Sequence, residues 1–90
     1  MKTNFLLGQL MLTEPARMVL KRQPFDLIAR HAINEHGLIT QEERESNERS
    51  MLTRGQIISR YKVDPTNPKS RTVVVLTSNL WDKTTVALEK

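Results

Sequence analysis

Apolar residues recur at helical spacing in the first half of the chain and alternate in the second. Between Pro24 and His36, the residues Phe25, Ile28, Ala29, Ala32 and Ile33 return every three or four positions, which predicts a helix with one apolar stripe. Pro24 suits its first position and Gly37 its termination, while Asp26 and His36 lie at the ends where their charges suit the helix dipole. Shorter apolar patterns predict a helix from Asn4 to about Leu12 and another from Glu14 to Arg22. Thr13 is the candidate cap of the second, with Pro15 in its first turn and Ala16, Val19 and Leu20 on its inner face. Gln23, held extended by Pro24, should end it. Thr40 to Glu43 reads as a capping box opening a helix from Gln41 to about Leu52, supported by Glu45 and Arg49 at i, i+4. Its middle is wholly polar, which is equally the pattern of a mobile, solvated segment.

After Gly55 the period changes. Ile57, Ser59, Tyr61 and Val63 alternate with Gln56, Ile58, Arg60 and Lys62, as in a half-buried strand. Asp64 to Ser70 is a turn-rich loop with two prolines. Arg71 to Thr77 is apolar on both faces and predicts the central strand, and Thr84 to Leu88 a third strand after a turn carrying Trp81. The reading is one α+β domain over residues 1–90: two or three N-terminal helices, then a three-stranded antiparallel meander. Phe25, Ile28, Ile33, Val74 and Leu76 are the predicted core, and residues 84–88 a free sheet edge.

Composition narrows the chemistry. There is no cysteine among the 90 residues, which excludes a disulfide scaffold, a thiolate metal site and a cysteine nucleophile. Lys2 and the run Phe5–Leu12 have the outline of a signal peptide, but Gly8 and Gln9 break the run and no cleavage pattern follows. No stretch approaches the roughly 18 apolar residues of a membrane span, so a cytoplasmic protein without a membrane partner is expected. His31 and Glu35 would share a helix face as a surface pair, while His31 and His36, five apart, would not, so no metal site is expected. The three glycines are isolated, so there is no phosphate-cradling loop; no cofactor and no enzyme activity are expected.

Charge is unevenly placed. Through Thr53, seven bases balance seven acids; from Arg54 onward, seven bases face three acids, so the whole net charge of +4 lies in the second part. Helices followed by a hairpin have the element order of a winged helix. In that plan the helix from Gln41 would read DNA, yet it carries Glu42, Glu43, Glu45 and Glu48 against Arg44 and Arg49, and phosphates would repel it. The hairpin suits a polyanion better, with Arg60 and Lys62 on the outer strand face and Lys69 and Arg71 at the loop. The first expectation is therefore a small regulator binding nucleic acid through Arg60, Lys62, Lys69 and Arg71. The alternative is a protein-docking module or inhibitor using Glu42, Glu45, Glu48 and Trp81. A small core without staples, an apolar N-terminal run and a free edge lead to the expectation of a homodimer.

One string has a family likeness. Arg54-Gly55-Gln56-Ile57, then Asp64-Pro65, then Arg71 to Leu76 resembles the opening of MazF-like ribonuclease toxins. The resemblance implies a ribonuclease in which Arg71 takes part in RNA cleavage. Gln56 stands where that family has an acid and Thr72 where it has a proline, and the match spans residues 54–76.

Overall fold

A computed structural model describes residues 4–89; Lys2 and Lys90, two of the bases counted above, lie outside the described residues. The elements run β1 (Gln9–Leu12), α1 (Glu14–Leu20), α2 (Phe25–Ala32), α3 (Gln41–Thr53), β2 (Ile57–Lys62), β3 (Thr72–Thr77) and β4 (Lys83–Leu88). A 3-10 turn, Asn79–Trp81, joins β3 to β4. The fold is α+β, as expected: helices precede the antiparallel meander β2-β3-β4, the element order of a winged helix. No helix among the described residues is long and apolar enough to cross a membrane.

The segment Asn4–Leu12 is not a helix. Gln9–Leu12 forms β1, which runs parallel to β4 and extends the sheet to the order β1-β4-β3-β2. Gly8 allows this entry: at φ +65°, a Cβ there would stand 2.1 Å from the Asp82 carbonyl oxygen. The expected free edge at residues 84–88 is consequently wrong, because β4 is an interior strand. The helix run of Phe5–Leu12 lost to a sheet partner more than 70 residues away, which local periodicity does not register.

α1 is flanked by Thr13 before it and by Lys21, in the left-handed region, after it, with Pro15 in its first turn. The Thr13 hydroxyl caps nothing, while its N–H joins the sheet at the Val86 carbonyl. α2 ends at Ala32, short of Gly37, with Asn34 taking the left-handed turn. α3 has the predicted capping box, Thr40 with Glu43.

α1 and α2 pack on one face of the sheet, and the core is Ala16, Leu20, Leu27, Ile28, Tyr61, Val73, Val75 and Val86. Of the predicted core, Ile28 is buried, but Phe25 is 66% exposed and Ile33 42% exposed. α2 is rotated so that Leu27, Ile28, His31 and Ala32 face inward; Phe25 turns outward and Ile33 follows the helix end. Val74 and Leu76 are half-buried on the opposite sheet face, and Val73 and Val75 take the core. β3 is apolar on both faces, so its neighbours decide the parity: Val73 pairs Tyr61 and Val75 pairs Ser59 on β2.

Candidate nucleic-acid interface

The β2–β3 hairpin carries the basic residues to one end of the sheet. Its loop is shaped by short-range side-chain bonds. Asp64 accepts from the Thr66 N–H at 3.1 Å, Asn67 from the Lys69 N–H at 2.9 Å, and Ser70 from the Asp64 N–H at 2.8 Å. The Thr66 bonds hold the Asp64 carboxyl below the usual carboxylate range. At the base of the loop, the Val63 N–H donates to the Arg71 carbonyl at 2.9 Å. Lys69 and Arg71 are exposed and Lys62 is half-buried. Among the described residues, none of the three has a carboxylate within ion-pair distance.

Arg60 differs from them. Its guanidinium bonds Glu43 and, at 2.6 Å, Glu89, tying α3 and the end of β4 to β2. Arg60 holds the Glu43 carboxyl below its ordinary range, and Glu43 in turn raises the guanidinium. An open cleft of about 250 Å³ lies beside it, lined by Arg30, Leu38, Arg60, Tyr61, Lys62 and Pro65. Arg30, a cation the sequence reading did not bring to the hairpin, sits 4.7 Å above the Tyr61 ring centre. Tyr61 is buried and its hydroxyl donates to the Glu35 carbonyl, so it packs under Arg30 and is no stacking platform for a base.

The alternative set divides. Glu42, Glu45 and Glu48 are exposed on α3, where Glu45, Glu48, Arg49 and the 89% exposed Leu52 line a shallow groove. Trp81 lies just past the C-terminal end of that helix, outside the groove. Its indole N–H donates to the Gly55 carbonyl at 3.0 Å, its ring lies 5.6 Å from Phe5, and Arg54 stacks over it at 5.5 Å. It pins the β3–β4 turn to the α3–β2 turn.

The sequence reading missed a polar chain through the core. His31 is fully buried, not half of a surface pair with Glu35. Every proton in the chain follows from its last member. The Thr84 hydroxyl donates to the Leu7 carbonyl at 2.7 Å, because a carbonyl only accepts. Thr84 therefore accepts from Thr77 at 2.7 Å, and Thr77 from His31 Nε2–H at 2.8 Å. Neutral His31 then accepts at Nδ1 from the Ser59 hydroxyl at 2.6 Å, and Ser59 accepts from His36 Nδ1–H at 2.7 Å. Burial drives the His31 pKa down to about 3, with a smaller push from His36, and burial followed by Arg44 lowers His36. Phe5 closes the chain off edge-on, 5.2 Å from the His31 ring. Ser59, between two imidazoles, is fully buried and out of reach of a substrate. The available signal was Ser59 itself, a polar residue in the buried phase of Ile57, Ser59 and Tyr61.

Among the described residues, no three His, Asp or Glu side chains gather to hold a metal ion. Comparison with known proteins finds no matching family model, no matching curated protein and no matching solved structure. The MazF-like string of residues 54–76 thus has no family match behind it, and it lies in an open four-stranded sheet.

Proposed function

We propose that this chain is a small non-enzymatic regulator that acts in the cytoplasm as a homodimer and binds nucleic acid at the β2–β3 hairpin. The observation that carries the reading is the contrast among its bases. Arg60 is neutralised by Glu43 and Glu89, whereas Lys62, Lys69 and Arg71, on and beside a loop braced by its own side chains, have no ion-pair partner among the described residues. Arg30, across the adjoining cleft, is already paired with Glu35 at 3.8 Å and is not counted among the free bases. Such a surface supplies phosphate contacts; it offers no free aromatic platform, which favours backbone contact with a duplex over stacking on single strands. In this reading Arg60 braces the hairpin and the other three bases touch the polyanion. No cofactor is required.

The test is a salt-titrated gel shift or anisotropy assay on duplex DNA and RNA. Lys62→Glu with Lys69→Glu should weaken binding to every duplex and flatten the salt dependence by about one unit per lost contact. Glu45→Lys with Glu48→Lys should leave binding equal or stronger. Absence of binding by the parent protein at low salt overturns the reading. The second reading, a protein partner on α3, then gains from one observation: the exposed Glu42, Glu45 and Glu48 stand beside an almost fully exposed Leu52. It predicts that the glutamate variants, not the lysine variants, lose a captured partner.

A further inference from the structure

We infer that β1 is the self-association strand, and that two copies pair through it antiparallel, Leu10 against Leu12 of the second copy, to form one continuous eight-stranded sheet. This deepens the dimeric part of the proposed function and is independent of what the hairpin binds. The register follows from which main-chain groups are spent. Gln9 N–H donates to Asp82 and Thr13 N–H to Val86, so the odd-numbered residues of the strand bond β4. The N–H and C=O groups of Leu10 and Leu12 point to the other side, where no strand follows β1 and no described residue bonds them. Two such strands satisfy one another in one centred register. Leu10 exchanges both bonds with the second copy's Leu12, Leu12 does the same with its Leu10, and Met11 lies on the two-fold axis.

The side chains fit the same register. Leu10 and Leu12 share the helix-packed face, where with Pro24, Phe25 and Ile28 they line an apolar cleft of about 100 Å³. Leu10 is 47% exposed, Met11 45% and Phe25 66%. Pairing sets the second copy's Leu12 beside Leu10, over the exposed ring of Phe25. Gln9–Leu12 contains no charge, proline or bulge to repel another strand, the usual guards of an edge that stays single. The opposite edge of the sheet is at a disadvantage, because β2 is already covered at Ile58 and Arg60. Arg60 N–H donates to His36 and Leu38 N–H to Arg60, while the Asn47 amide bonds both main-chain groups of Ile58.

The absence of cysteine makes a direct geometric test available. In this register the two Met11 residues face each other as a non-hydrogen-bonded pair about 4.5 Å apart, within disulfide range. Two Gln9 residues, on the same face, stand about 14 Å apart. Sedimentation of the full chain should give twice 10.4 kDa. On mild oxidation, Met11→Cys should cross-link to a dimer and Gln9→Cys should stay uncross-linked. Leu10→Lys should raise the dimer dissociation constant by about ten-fold or more with an unchanged circular dichroism spectrum. A parent protein that is monomeric at about 100 µM overturns the inference, as does cross-linking of Gln9→Cys equal to that of Met11→Cys, or a Leu10→Lys dimer as tight as the parent. Hairpin variants that lose nucleic acid should keep the parent's mass, which separates failure of the ligand reading from failure of this one.

Discussion

On the β2 edge, the outward main-chain groups of Arg60 are taken by His36 and Leu38, and those of Ile58 by Asn47. On the β1 edge, the corresponding groups of Leu10 and Leu12 meet no described partner. The two edges belong to one sheet, yet only one has been closed from within, and the closure is demanding. It needs Gly37 at φ +71° in a short parallel bridge to Arg60, a capped α3 to present Asn47, and His36 bonded through its ring to Ser59. β1 is guarded by no described residue, in a small domain where an unguarded apolar edge is a liability unless it has a partner. On the inferred pairing, the sheet extends through the β1 edge alone. In the paired form the two basic hairpins lie at the far ends of the extended sheet, each free to engage phosphates.

The largest effect should come from pH. Ser59 on β2 bonds both histidines behind the closed edge, and His31 is neutral there with a pKa near 3 against an ordinary 6.5. The neutral form is favoured by folding, so its stabilisation is complete above about pH 6.5 and drains away as pH falls toward 3. The gap is worth roughly 3–5 kcal/mol, a large share of a small domain's stability. Urea melts followed by Trp81 fluorescence at pH 7, 5 and 4 should show the midpoint falling steeply, and a flat midpoint would remove the neutral chain. Gly37→Ala attacks the same edge sterically: its Cβ would stand 2.1 Å from the Arg60 carbonyl oxygen and 2.8 Å from the Tyr61 ring. A cost of about 2–3 kcal/mol is expected from thermal melts.

Asn47→Ala should cost about 2 kcal/mol by stripping both bonds from Ile58. It should also open a second edge, seen as association that survives Leu10→Lys. Glu43→Gln keeps an acceptor for the Thr40 cap while removing the charge facing Arg60, so about 0.5–1 kcal/mol is expected, shrinking at high salt in denaturant titrations. Leu10→Lys closes the series, with a stability change within about 0.5 kcal/mol for the monomer but loss of the dimer.

What was legible in the chain were the features written by neighbours. The Thr40–Glu43 box, Pro15 in the first turn of α1, the alternation of Ile57, Ser59 and Tyr61 and the proline-broken loop each act within a few residues, and each is found. What was not legible depends on contacts across the fold. β1 reads locally as helix and is a strand only because β4 pairs with it. α2 is rotated so that the His31 ring reaches Ser59 and Thr77 on two different strands; with those bonds unknown, Phe25 and Ile33 looked like core and His31 like surface. At the candidate interface, Lys62, Lys69 and Arg71 stand on the hairpin end as the charge split suggested. The commitment of Arg60 to Glu43 and Glu89 required knowing that α3 and the C-terminal end of β4 converge on β2.

Residue-resolved amide hydrogen exchange at rising protein concentration tests the contrast between the edges most directly. The N–H groups of Ile58 and Arg60 should be protected at every concentration, because Asn47 and His36 bond them within one copy. Those of Leu10 and Leu12 should exchange quickly in dilute solution and become protected as copies pair. Rapid exchange at Leu10 and Leu12 up to about 1 mM, or rapid exchange at Ile58 and Arg60 under native conditions, would contradict the account.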